Sequence, residues 1–239
     1  VVAPPGEVLG AEVDEGGEQI TTTLTDRGTL IYRLIERCPF DHLESIRVHL
    51  FALNKSAKMH FKKVMGVRNV SYGSVFLYKN GFRVHPLGEE GDDGFGIERR
   101  KQQGQARYLG TRDLSGRVEI FAGNQTFKET SSRNSGFIDS PEWRELLRFF
   151  WDYALRRLEL YAVDVIKWGN PVKGSDEELL PTDVKAQILE VLNKLTNDAD
   201  VLDIEYDPNL LDILSERQSA SVTTALSNFK RIAEAAGND

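Results

Sequence analysis

The chain has 239 residues, 40% of them apolar, with a net charge of −7 and a single cysteine. That length buries a core without disulfide or metal support, and no apolar run approaches the roughly 18 to 20 residues that a membrane helix needs. The lone Cys38 excludes an internal disulfide and predicts a cytoplasmic setting, and the acidic balance argues against an obligate nucleic-acid binder, which needs clustered Lys and Arg.

The opening Val1-Val2-Ala3-Pro4-Pro5 has neither the basic region nor the apolar core of an export signal. A start without Met predicts a piece cut from a longer protein. Residues 1–17, rich in Pro, Gly and acids, read as a linker. Residues 19–24 and 29–35 are rich in β-branched side chains and flank Asp26-Arg27-Gly28, which predicts a hairpin with Gly where positive φ is needed. Residues 45–52 alternate Ile46, Val48 and Leu50 with Arg47, His49 and Phe51, a half-buried strand. Asn54 then caps a helix over 55–64 that stops at Gly66.

Apolar runs at 72–78 and 82–84 are joined through Lys79-Asn80-Gly81, the strongest short-range hairpin signal. The polar, Gly-rich stretch 85–112 predicts a long loop, and such loops are functional or disordered. A short strand follows at 117–121, then a polar stretch 122–136. Ser140-Pro141-Glu142 supplies a cap, a first-turn proline and an early acid. Behind it Trp143, Leu146, Leu147, Phe150, Tyr153, Ala154, Leu158, Tyr161 and Val165 mark one face of a long helix. Residues 169–175 break it, and helices over 182–196, 208–216 and 219–236 follow. The fold class expected is α+β: a mixed β-sheet packed on a long helix over 18–170, followed by a helical C-terminal appendage over 175–239.

No phosphate loop, nucleophile elbow or His/Cys cluster is present, so autonomous catalysis has no visible apparatus. His49 and His60 each sit alone within a regular element and read as surface or satisfied side chains. Asp92-Asp93 could hold Mg²⁺ through oxygen, although a paired acid in a Gly-rich loop is more often turn chemistry. The charge is uneven, because Arg99, Arg100, Lys101, Arg107, Arg112 and Arg117 stand against the single acid Asp113, leaving that segment at +5 and the rest at −12. Arg99 to Gly104 is either a phosphate-binding turn, with guanidinium forks and amides near Gly, or a solvated basic turn. Ser131-Ser132-Arg133-Asn134 is either a helix-entry loop or a platform that aims Arg133 at a ligand on a neighbouring domain.

Two strings carry a resemblance: YGSVFLYKNGFRVHPLGEEGDDGFGIERRKQQGQARYLGTRDLSGRVEIF over 72–121, and SSRNSGFI over 131–138. They resemble the transducer region that follows the ATP-binding domain in GHKL-type ATPases, the group of histidine kinases, gyrase, the heat-shock chaperone and mismatch-repair MutL. The resemblance covers about residues 19–168. It implies a non-autonomous domain, because the family's Asn-bearing helix, Asp-x-Gly and Gly-rich lid are missing; ATP and Mg²⁺ belong to the parent protein and no cofactor to this segment. By similarity to the chaperone's Ser-Arg, it implies that Ser132 and Arg133 face the γ-phosphate. Lys101, with Gln103, is the alternative, since Lys101-Gln102-Gln103 resembles the gyrase lysine loop in composition. The implied partner is the parent's own N-terminal ATP-binding domain, with a homodimer of the parent possible. The competing reading is a non-catalytic module that binds protein or nucleic acid through 99–117.

Overall fold

The structure is a computed structural model that describes residues 7–104, 108–121, 127–128, 139–165, 182–197 and 200–207. The chain is α+β. Among the described residues eight strands form one mixed sheet: β1 (Glu7–Val13), β2 (Gln19–Asp26), β3 (Thr29–Arg37), β4 (Ile46–Ala52), β5 (Val75–Lys79), β6 (Phe82–Arg83), β7 (Leu114–Ile120) and β8 (Val201–Tyr206). Their order across the sheet is β6-β5-β7-β4-β1-β2-β3-β8. Every pairing is antiparallel except β5 with β7, which run parallel.

Period-two patterning decides which face is covered. Ile46, Val48, Leu50 and Ala52 of β4 are buried, as are Leu9, Ala11 and Val13 of β1, whereas Arg47 and Glu12 point to the open face and pair at 2.8 Å. Over the covered face lie consecutive helical segments: α4 (Pro141–Phe149), a π-helical stretch (Phe150–Leu155), α5 (Arg156–Glu159) and a second π-helical stretch (Leu160–Val165). Ser140 caps α4 by accepting the Trp143 amide at 3.3 Å. Leu146, Phe149, Phe150, Leu158 and Tyr161 are buried, and Trp143 and Leu147 pack partly buried against the same core. α6 (Thr182–Thr196) extends that layer through Ile188, Leu189 and Leu192.

Both hairpins form as the turn residues dictate. Arg27 and Gly28 have φ of 48° and 87°, Asn80 and Gly81 of 49° and 83°, the positive-φ pairs of primed turns. α1 (Lys55–Met65) begins at the Asn54 cap and ends at Gly66 in the left-handed region.

Four expectations are corrected. The stretch 1–17 is not simply linker, because β1 spans Glu7–Val13 and lies between β2 and β4; its acids and flanking glycines hid the alternation of Leu9, Ala11 and Val13. The apolar run 72–78 is divided between α2 (Asn69–Tyr72) and β5, since Gly73, at φ 114°, packs where a Cβ would meet the Gly88 carbonyl. Within 85–112 the chain forms α3 (Ile97–Gln102), anchored by buried Leu87, Phe95, Ile97 and Leu109 that have no helical or strand period. The C-terminal region is not wholly helical, because β8 adds to the sheet beside β3. The helices expected over 208–216 and 219–236 lie outside the described residues. No helix among the described residues is long and apolar enough to cross a membrane.

Candidate anion site at one end of the sheet

β4 leaves the sheet at the end where β5 and β7 enter it, so the connections before and after these strands meet there. The Leu53 amide donates to the Asp113 carbonyl at 2.8 Å, which places the start of α1 against the 3₁₀ turn Thr111–Asp113 that leads into β7. The buried Asn69 of α2 donates its side-chain amide to the Arg112 carbonyl at 2.7 Å. Three separate segments are thereby fixed around one side chain, Asp113.

The Asp113 carboxylate accepts from Lys58 Nζ of α1 at 2.6 Å, from Lys101 Nζ of α3, and from the Gly110 amide at 3.1 Å. Only 14% of it is exposed, whereas the Lys58 and Lys101 side chains keep 31% and 27% in solvent. Burial works against its charge, but hydrogen bonds from Lys101, Lys58 and Gly110 together hold its pKa below the usual carboxylate value. Two ammonium groups thus converge on one carboxylate, with the Glu98 carboxylate nearby at Gly110 and Thr111. That arrangement fits an oxyanion.

A second carboxylate ties this end to the helical layer. Glu159 of α5 accepts from Arg100 Nη1 at 2.5 Å and from the Leu109 amide at 3.0 Å. Burial pushes its carboxyl up, against the pull of Arg100. The Arg100 guanidinium lies over the rings of Tyr108, at 4.0 Å, and Trp151, at 4.9 Å. Glu98 binds both the amide and the hydroxyl of Thr111, at 2.8 and 2.5 Å. The basic segment is therefore wound on its own carboxylates and bolted to the helix.

Asp92 accepts the Gly88 and Gly94 amides at 3.0 and 3.2 Å, and Asp93 those of Glu98 and Arg99 at 2.8 and 2.9 Å. These acids do turn chemistry at the entry to α3, and no cluster suited to a metal ion occurs among the described residues. Of the six bases in 99–117, Arg100, Lys101 and Arg117 pair within the chain, Arg117 with Glu119 at 2.9 Å. Arg99 and Arg112 are exposed, and Arg107 lies outside the described residues. His49 is half-buried on β4, with burial and then Arg117 pulling its pKa down, and His60 is exposed on α1.

Lys101 is thus at this site, while Gln103 is exposed at the C-terminal end of α3, its backbone amide donating to the Arg100 carbonyl at 3.0 Å. Ser132 and Arg133 lie outside the described residues. Sequence reasoning missed Lys58 and Glu159, which have no local signal because they meet their partners across 55 and 59 positions. Asp113 was visible only as the single acid among six bases. Beside the site an aromatic chain, Phe61 to Tyr72 at 5.4 Å and Tyr72 to Phe76 at 5.6 Å, ends under Arg83, 4.2 Å above the Phe76 ring.

Comparison with protein-family models, with curated proteins and with solved structures gives no match.

Proposed function

We propose that this chain is the non-autonomous transducer region of a GHKL-type ATPase, which senses nucleotide held by an N-terminal ATP-binding domain and relays closure of that domain to a partner surface. The observation that supports the reading most is Glu159. A single carboxylate joins the basic segment, through Arg100 and Leu109, to a helix lying across β1 and β4, so a pull on α3 is a pull on the helical layer. ATP with Mg²⁺, bound on the neighbouring domain, supplies the phosphoryl group. This chain supplies positive charge at the γ-phosphate from Arg133, with Lys101 as the alternative, and a correctly placed cation there contributes on the order of 10³-fold in rate.

Rejoining the chain to its parent's ATP-binding domain tests the reading. ATP turnover is expected to rise on rejoining, while the isolated chain shows no micromolar ATP affinity by calorimetry. Turnover unchanged by rejoining overturns the proposal. Within the rejoined protein, Arg133→Ala and Lys101→Ala assign the cation: loss of turnover with near-normal ATP affinity is expected for Arg133→Ala, and the same loss confined to Lys101→Ala gives the role to Lys101.

A further inference from the structure

The three donors on Asp113 do different jobs. Lys58 comes from a helix fixed by its Asn54 cap, where the Ala57 amide donates to Asn54 Oδ1 at 2.9 Å, and Gly110 belongs to the same turn as Asp113. Lys101, on the same four-carbon stem as Lys58, comes from the last turn of α3, a six-residue helix that ends at Gln102. A half-buried carboxylate stripped of its only cation becomes costly, but Asp113 without Lys101 would retain Lys58 at 2.6 Å and the Gly110 amide at 3.1 Å. Departure of Lys101 therefore removes the leading hydrogen bond on Asp113 but leaves the carboxylate paired. The stem of Lys101 also lies directly on Gly110, where an added Cβ would run into Lys101 Cδ and come within 3.0 Å of Glu98 Oε1 and 3.2 Å of Lys101 Cε. Gly110 has φ of −106°, a value any residue adopts, so the glycine is needed for the room it leaves rather than for its backbone. The seat of Lys101 is made by a missing side chain.

We infer that Asp113 is a latch that holds Lys101 in reserve, with Lys58 as the standing counter-ion that frees Lys101 to move onto a phosphate oxyanion. This rests on reading Lys101 as a phosphate contact. A compact ammonium on a rotatable stem suits a cation that must change partners, as a rigid guanidinium fork does not. Phosphate oxygens compete directly with the carboxylate for the same donors. The latch thus holds Lys101 on Asp113 until a polyanion of higher charge arrives.

The test is titration of the 239-residue chain with inorganic tripolyphosphate, read by calorimetry and by the NMR signals of ¹⁵N-labelled lysine side chains. Asp113→Asn is expected to bind several-fold tighter than wild type. Gly110→Ala, which displaces the Lys101 stem without changing any charge, is expected to do the same and guards against misfolding of the first variant. Lys58→Ala weakens binding in the wild-type background and has no effect in the Asp113→Asn background, where no carboxylate remains to be satisfied. Equal loss from Lys58→Ala in both backgrounds makes Lys58 a direct ligand and overturns its role as counter-ion. Wild-type affinity in both Asp113→Asn and Gly110→Ala, with binding lost in Lys101→Ala, overturns the latch and leaves Lys101 a phosphate contact. Undiminished binding in Lys101→Ala, or no binding in any variant, removes Lys101 as the phosphate contact and the latch with it.

Discussion

Arg157 is a buried charge held by several partners. Its guanidinium grips Glu36 at 2.6 and 2.9 Å, donates to Thr22 Oγ1 at 3.0 Å and lies 4.7 Å from the Tyr153 ring centroid, with 7% of either ionic side chain exposed. Burial, with the Glu36 charge nearby, pushes the Tyr153 phenol up to about 12, and burial raises Tyr32 to about 12 as well. Breaking such a pair on one side strands a buried charge, so Arg157→Met is expected to cost about 3 to 5 kcal/mol in urea unfolding. The double variant Glu36→Leu with Arg157→Met should recover most of it; a double variant as unstable as the single one refutes the ion-pair account. Asp113 gives a pH prediction of definite sign. Its pKa is lower folded than unfolded, so its contribution is complete above the ordinary carboxylate range, about pH 4, and is lost as pH falls through the depressed folded value. The difference in unfolding free energy between wild type and Asp113→Asn should shrink as pH is lowered through that window. None of these partnerships was legible in the sequence, because Glu36 and Arg157 stand 121 positions apart and an isolated charge carries no mark of its partner.

Elements were legible wherever a local rule decides them. Asn54 and Gly66 bound α1, Ser140 and Pro141 open α4, and the two hairpins turn at their expected glycines. Where a neighbour decides, reading failed: β1 and β8 are short strands whose partners are needed to make them strands, and residues 85–112 take their order from buried anchors rather than from a period. The glycines separate the two cases. Gly28 has φ of 87° with nothing within 4 Å of an added Cβ, so Gly28→Ala is expected to cost only backbone strain, on the order of 1 kcal/mol. Gly88 has φ of 83° and packs where a Cβ would collide with the Val75 carbonyl, while its own carbonyl accepts the Ser74 amide at 2.9 Å. Gly88→Ala should therefore lower the melting temperature far more than Gly28→Ala. Equal shifts in thermal unfolding would show that β5 and the loop after it are not held together at this point.

At the scale of the molecule, the α+β class and the packing of a sheet against a helical layer follow from one-sided strands and a one-sided helix, each needing an apolar partner. Strand order does not follow, since it depends on which distant segments meet. β1 illustrates the cost of that gap, because it pairs with β4 on one side and β2 on the other, from Val8 to Val13. Removing residues 1–13 is expected to abolish cooperative unfolding by circular dichroism, whereas ending the chain at residue 197 removes, of the described strands, the outermost β8 and should leave a folded domain of lower melting temperature. A cooperative transition after the first deletion would contradict the central position of β1. β8 itself has a further consequence. Among the described residues it stands at the end of the strand order, paired with β3, and the outermost strand of a sheet is the place where strands of different chains pair and aggregate. Asp203 and Glu205 stand exposed on alternate positions of that strand. Two copies approaching edge to edge bring carboxylate against carboxylate, and like charges across strands repel. The acidic composition that argued against an obligate nucleic-acid binder thus opposes self-association at this strand. Neutralising both, as Asp203→Asn with Glu205→Gln, should leave the fold intact while light scattering at high protein concentration rises.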